Sequence, residues 1–132
     1  MTTSASVEAN KALVMRAITG VFVDRNPDVV DELFGPDYRQ HNPQIPNGTD
    51  AVKGLLKQLP ENFEYKPGLV FAEGDFVAVH GRYVGWGPKP MVAFDVFRVA
   101  NGKVVEHWDV LQEEVPASEA VNGNPMFPIG RS

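Results

Sequence analysis

Met91-Val-Ala-Phe-Asp-Val-Phe-Arg-Val99, then Ala100-Asn101-Gly102-Lys103, then Val104-Val-Glu-His-Trp-Asp-Val-Leu111: this stretch decides the fold. Two runs rich in β-branched and aromatic residues flank an Asn-Gly pair, a strong short-range signal for a β-hairpin. Two registers are open. A three-residue loop, Ala100-Asn101-Gly102 with Gly102 left-handed, pairs Val99 with Lys103. It sets Asp95 directly across from His107, with Asp109 on the same face and diagonal to Asp95. The other face then carries Phe94 opposite Trp108 and Val96 opposite Glu106, with Arg98 diagonal to Glu106. A two-residue turn at Asn101-Gly102 slips the register, so that Asp95 shares a face with Trp108 and leaves His107 and Asp109 on the other. The first register is preferred because it gathers three ionisable groups on one face and leaves the opposite face mainly apolar.

Upstream, Leu69-Val-Phe-Ala72 and Phe76-Val-Ala-Val-His-Gly-Arg-Tyr-Val84 flank Glu73-Gly74-Asp75 and read as another hairpin, with period-two patterning from about Glu64. Gly85-Trp-Gly-Pro-Lys-Pro90 is a Gly/Pro loop between the hairpins. Earlier still the period is helical. Val14, Ile18, Val21 and Phe22 make one stripe, predicting a helix over Val7 to Asp24, with Gly20 marking a close contact or a bend. Asn26-Pro27-Asp28 supplies an N-cap, a proline at the first helical position and an acid at the positive end of the dipole, so Pro27 to Phe34 is a short second helix that stops at Gly35. A third helix starts near Asn47-Gly48-Thr49-Asp50, buries Val52, Leu55, Leu56 and Leu59, and stops before Pro60. Tyr38-Arg-Gln-His-Asn-Pro43 is too short and polar to be core by itself. After Val115 the chain has little regular structure to offer.

Helices followed by hairpin-connected strands mean an α+β fold, with three N-terminal helices covering one face of a curved, mainly antiparallel sheet. Such a sheet curls into a cone whose internal pocket is the default ligand site. Residues 1–132 read as a single domain, with 116–132 an extended C-terminal tail. The 132 residues carry 12 Lys+Arg against 17 Asp+Glu, a net charge of −5, and no cysteine. A chain of this length buries roughly 65–70% of its unfolded surface and needs no staple. Thiolate metal sites, disulfides and Cys nucleophiles are excluded. The acidic balance argues against nucleic acid or an anionic membrane as partner. The start shows neither a signal-like segment nor a long apolar run, which points to a soluble cytoplasmic protein.

The chemistry gathers on the second hairpin. Asp95, His107 and Asp109 in a partly apolar cavity are equipment for general acid/base work near neutral pH, moving protons on and off a carbonyl substrate. His80 on a strand and His41 in the loop before the third helix could reach the same cavity. Gln40 and Asn42, which flank His41, offer amide donors for orienting an oxygen, and Phe97 and Trp86 are further candidates for contacting substrate. Each has a plainer reading as well: His107-x-Asp109 as a surface pair, His80 as a satisfied core histidine, His41 as a turn cap, Trp86 as packing. The histidines with Asp109 could in principle ligate Zn²⁺ or Fe²⁺, but none has the i, i+4 helical spacing of metalloprotease motifs, so neither a metal nor another cofactor is expected. No Gly-x-Ser-x-Gly elbow and no phosphate-cradling glycine motif occurs.

Tyr38-Arg-Gln-His-Asn-Pro43, Glu73-Gly-Asp-Phe-Val-Ala-Val-His80, Asp95-Val-Phe-Arg98, Gly102-Lys-Val-Val-Glu-His-Trp-Asp-Val-Leu-Gln112 and Asn122-Gly-Asn-Pro-Met-Phe127 together resemble the SnoaL-like branch of the NTF2-like superfamily. The resemblance runs over most of the chain. It implies the cone-shaped α+β barrel, a homodimer through the outer sheet face, for which Phe94 and Trp108 are suited, and a pocket inside the cone. Polyketide cyclases of that family carry out intramolecular aldol condensations without cofactor or metal. Asp109 matches their acid/base aspartate, and their helper histidine falls on Asp95 here, so His107 or His80 would have to supply the imidazole.

The leading expectation is a cofactor-independent lyase or isomerase of the aldol/cyclase type acting on a small apolar or carbonyl-containing substrate. In it Asp109 moves the proton, His107 and Asp95 tune it, and His41 or His80 donates to the enolate oxygen. A dehydratase would use the same His and Asp. An epoxide hydrolase resembles this set but wants an Arg between two aspartates, for which Arg82 is the strand-borne candidate. The contrasting expectation is a non-catalytic dimer that binds a small molecule, since a fold does not fix a function. A catalytic cavity should hold Asp109 buried beside His107.

Overall fold

The computed structural model describes residues 4–130; residues 1–3 and 131–132, the ends of the single-domain reading, lie outside the described residues. The chain runs α1 (Ser4–Phe22), α2 (Pro27–Leu33), β1 (Phe34–Gln40), α3 (Thr49–Gln58), β2 (Glu64–Glu73), β3 (Phe76–Val84), β4 (Met91–Ala100) and β5 (Lys103–Glu113). The strands form one sheet in the order β1-β5-β4-β3-β2, antiparallel except for the parallel β1/β5 pair. The α+β cone expected above is therefore present, with the three helices against one face of a curved mixed sheet.

The helices form for the reasons the sequence gives. Val14, Ala17, Ile18 and Val21 are all buried and make the i, i+3, i+4, i+7 stripe of α1. Asn26 caps α2 by accepting the Asp28 backbone N–H on its side chain at 3.0 Å, and Pro27 follows at the first helical position. Gly20 marks the crossing of α1 and α2, since a Cβ there would lie 2.7 Å from Val29 Cγ2. No described helix is long and apolar enough to cross a membrane.

Two expectations are corrected. Tyr38-Arg-Gln belongs to a strand: β1 lies on the edge of the sheet, parallel to β5, with Phe34 and Tyr38 buried. A parallel edge pairing leaves no turn signal in the sequence, and the proline it contains, Pro36, is tolerated because the strand has an unpaired edge. The second hairpin is neither of the two registers considered. Its turn is the two-residue Asn101-Gly102, with φ of 53° and 72°, and Ala100 pairs with Lys103 and Val99 with Val104. Between Val99 and Arg98 the register then shifts, because Arg98 pairs with Glu106 and Val105 is the extra residue of β5. This β-bulge cancels the slip of the short turn. Phe97 faces His107, Asp95 faces Asp109, Val96 faces Trp108, and Phe94 faces Val110. The three ionisable groups share the inner face as expected, but Asp109, not His107, lies directly across from Asp95, and Trp108 is opposite Val96, not Phe94.

The tail after β5 has only a short 3₁₀ turn, Ala117–Glu119, as expected of it. It returns to the outer side of the sheet, where Phe127 is buried against Gly68 and the His80 ring.

Candidate active site

The cone encloses a cavity of about 600 Å³. Its walls are largely apolar, from Ile18, Phe22 and Val52 of the helices to Phe34, Met91 and Leu111 of the sheet. At one side Asp95, His107 and Asp109 come together with Tyr38, Gln40 and Asn42. The arrangement follows from strand geometry: on β5 His107 and Asp109 point inward while Glu106 and Trp108 point outward, and β1 ends beside them with Gln40 paired to His107.

The hydrogen bonds fix where the protons are. His107 Nδ1 lies 2.6 Å from Gln40 Oε1, and that oxygen also accepts the Asn42 backbone N–H at 3.0 Å. Gln40 thus presents its carbonyl to the imidazole, so Nδ1 carries a proton. On the other side of the ring, Nε2 meets Asp95 Oδ1 at 2.8 Å, and one proton lies between them. Tyr83 donates its hydroxyl to Asp95 Oδ2 at 2.7 Å. Burial, and next the charge of Asp95, push the Tyr83 hydroxyl well above its ordinary pKa, so it is a permanent donor. Asp95 is 3% and His107 6% exposed, and water does not compete for these bonds.

Asp109 sits differently. Its side chain is 9% exposed, and Asn42 Nδ2 donates to both of its oxygens, at 3.1 and 2.9 Å. His107 Nε2 is 3.8 Å from Asp109 Oδ2, too long for a hydrogen bond but close enough for strong electrostatic coupling. Asp109 is thus a carboxylate oriented by an amide beside an imidazole that is already tied to another acid. Tyr38 completes the group. Its hydroxyl, raised in pKa by burial and then by Asp95, lies 3.5 Å from Gln40 Nε2, which donates to it and leaves the phenolic proton for the cavity.

Asp95, His107 and Asp109 each offer a ligand atom, all within 4.8 Å of one another, the spacing a metal ion would need. Yet His107 Nε2 and Asp95 Oδ1 are bonded to each other, Asp95 Oδ2 is taken by Tyr83, and His107 Nδ1 by Gln40. A cation would have to break these buried bonds, and the donor set is arranged for a proton instead.

Of the residues expected at the site, Asp95, His107, Asp109, Gln40, Asn42, Phe97 and Trp86 all line the cavity. Phe97 packs on the His107 ring at 4.8 Å, and Trp86 lies among Phe22, Phe63 and Tyr83. Three expectations fail. His80 pairs with Phe94 across the strands and so faces the outer side, where its ring is buried between Phe94 and Phe127. His41, one residue past Gln40, also points outward: its ring stacks on Trp108 and its Nε2 bonds Glu106 at 2.7 Å. Strand alternation excludes both from the cavity, so neither can donate to an enolate there. Arg82 is likewise outward and binds Glu114 through Nε and Nη2, so among the described residues no arginine stands between the two aspartates. Tyr38 and Tyr83 are the site residues that sequence reading missed. The period-two pattern of β3 puts Tyr83 on the face of Val77 and Val79, but nothing local shows that its hydroxyl meets Asp95.

Comparison with solved structures supports the fold. A candidate ketosteroid isomerase from Kribbella flavida superposes with a TM-score of 0.71 at 20% identity, over 81% of this chain and 80% of that one. A candidate SnoaL-like polyketide cyclase from Jannaschia gives 0.66 at 22% identity, over 84% and 90%. An epoxide hydrolase of Mycobacterium tuberculosis described as LEH-like gives 0.62 at 20% identity, over 89% and 90%. No curated protein matches the sequence significantly. The family model of the SnoaL-like domain matches residues 14–107, well over half of the sequence and every element from the middle of α1 to the His107 strand. The chain belongs to the SnoaL-like domain family.

Proposed function

We propose that the protein is a cofactor-independent acid/base enzyme that enolises a small, uncharged carbonyl compound, in the manner of an isomerase or an aldol-type cyclase. The observation that carries this reading is Asp109: a carboxylate only 9% exposed on the wall of a largely apolar cavity, aimed by Asn42 and 3.8 Å from an imidazole. Asp109 takes a proton from the carbon next to the carbonyl, and the C–H electron pair moves to the carbonyl oxygen as an enolate. Tyr38, whose proton has no acceptor among its hydrogen bonds described above, donates to that oxygen in the role first expected of His41 or His80. The His107–Asp95–Tyr83 chain keeps a shared proton beside Asp109 and offsets the charge that moves during the step. Returning the proton to a different carbon gives an isomerisation. Attack of the enolate carbon on a second carbonyl gives an aldol product, whose alkoxide takes the proton back from Asp109.

The substrate is expected to carry no negative charge, since among the described residues the cavity wall holds two aspartates and no lysine or arginine. The outer face of the sheet supports the proposal of a homodimer: Phe71, Phe76, Phe94 and Val110 are exposed there, and aromatic residues grouped on one sheet face suit contact with a second copy.

The test is solvent deuterium exchange into a panel of uncharged mono- and bicyclic ketones, followed by NMR. Wild-type protein should accelerate exchange in at least one of them, and Asp109→Asn should lower the rate about 10²–10⁴-fold with the fold unchanged. Exchange that survives Asp109→Asn would remove Asp109 from the mechanism, and no exchange across the panel would remove the reading itself.

A further inference from the structure

Gln40 is the last residue of β1 and His41 and Asn42 continue its line, and the three side chains point alternately in, out and in. The His41 backbone N–H donates to the His107 carbonyl at 2.9 Å, extending the parallel ladder by one more bond. Inside, Gln40 holds the His107 ring and Asn42 holds Asp109. Outside, His41 is fixed twice. Its ring lies flat on the Trp108 indole, with centroids 4.7 Å apart and planes within 6°, and its Nε2 donates to Glu106 Oε2 at 2.7 Å. Glu106 is anchored in turn, since its other oxygen accepts from Arg98 Nε at 2.9 Å. Thus four consecutive residues of β5, Glu106 to Asp109, are gripped by three consecutive residues past the middle of β1, two of them from the cavity side and one from the far side of the sheet.

We propose that His41 and Glu106 are positioning residues: from the face of the sheet opposite the cavity, their bond sets the height of the chain at residue 41 and thereby the aim of Asn42 on Asp109. The proposal rests on the role given to Asp109 above. The physical reason lies in the magnitudes. His41 is 37% and Glu106 12% exposed, and a side-chain contact so near solvent contributes little to stability. Its consequence is geometric. Asn42 makes two bonds to one carboxylate, and a shift of its backbone by a fraction of an ångström loses at least one of them. The segment beyond is closed at its far end by Gly48 N–H on the Tyr38 carbonyl and by Gln40 N–H on Asn47 Oδ1, so His41 is the outward fixing point nearest to Asn42.

His41→Phe keeps a flat ring for the Trp108 stack and removes the N–H, while Glu106→Gln leaves one acceptor oxygen for two donors, His41 Nε2 and Arg98 Nε, and turns an NH₂ toward the other. His41→Gln has an amide N–H in place of the imidazole's and serves as the conservative rescue. The first readout needs no turnover: the side-chain NH₂ resonances of Asn42 in ¹H–¹⁵N spectra, which report its bonds to Asp109. They should move toward the position of a solvated amide in His41→Phe and Glu106→Gln and return in His41→Gln, with thermal unfolding close to wild type throughout. The second is ketone exchange, whose kcat should fall about 10–100-fold in His41→Phe with KM nearly unchanged, as expected when a reacting group is misaimed and binding is not. Asn42 resonances unmoved in both His41→Phe and Glu106→Gln would overturn the proposal. Because that readout is independent of catalysis, a wild-type protein without exchange activity would sink the enzymatic reading and leave the spectra to decide the positioning role.

Discussion

Tyr83→Phe removes one oxygen atom from the centre of the site and asks what the buried network is worth. The ring stays packed by Phe22, Phe63, Tyr65 and Trp86, so the cavity term is close to zero. What is lost is the 2.7 Å bond to Asp95 Oδ2, and with Asp95 3% exposed no water takes its place. A hydrogen bond to a charged group contributes about 1.5–3 kcal/mol, and a loss near 2 kcal/mol is expected because Asp95 keeps its bond to His107. With a urea m-value of about 1–3 kcal/mol/M for a domain of this size, the midpoint should fall by about 1 M with m unchanged. A double-mutant cycle with Asp95→Asn isolates the pair, and the coupling should lie within about 1–3 kcal/mol. A loss below about 0.5 kcal/mol at neutral pH would mean that Asp95 Oδ2 has another partner, and the account of Asp95 as a carboxylate held between a phenol and an imidazole would be wrong.

Three further outcomes follow from local geometry. His80 is buried between Phe94 and Phe127 with its Nδ1 unpartnered, and burial lowers its pKa below the ordinary 6.5. The unfolded chain therefore binds the proton first, so this site's contribution is whole above pH 6.5 and declines as pH falls from there toward the folded-state value; His80→Phe should flatten the stability profile below pH 6.5 in urea titrations, and an unchanged slope would refute the assignment. Gly20→Ala gains about 1 kcal/mol of helix propensity but drives a Cβ to 2.7 Å from the β-branched Val29, at a cost of about 1–3 kcal/mol; the single variant should show a net loss in thermal unfolding, and Gly20→Ala with Val29→Ala should relieve the clash, seen as a positive coupling in the cycle. Asn26→Ala deletes the α2 cap and should destabilise by about 1 kcal/mol, measured in the same way, whereas Asn26→Asp should be nearly neutral.

Elements with a local cause were legible in the sequence: the α1 stripe, the Asn26-Pro27 start of α2, and both hairpins. What escaped was set between segments. β1 owes its existence to a parallel partner some seventy residues away, and the outward turn of His41 follows from that strand continuing one residue further than the polarity of Tyr38–Pro43 suggests. The second hairpin shows how two local rules that disagree can both be right. Asn-Gly asks for a two-residue turn, because both of its residues sit comfortably at positive φ. The grouping of Asp95, His107 and Asp109 on one face asks for the register of an odd loop. The two demands differ by one residue, and one extra residue in β5 satisfies both. Val104-Val105 is where that residue fits: Val104 is fully buried on the inner side, Val105 packs toward Gly35, and from Glu106 onward the alternation restarts with His107 inward. A one-residue conflict between turn chemistry and side-chain alternation therefore points to a β-bulge, and here the bulge stands immediately before the strand segment that carries the candidate acid/base groups.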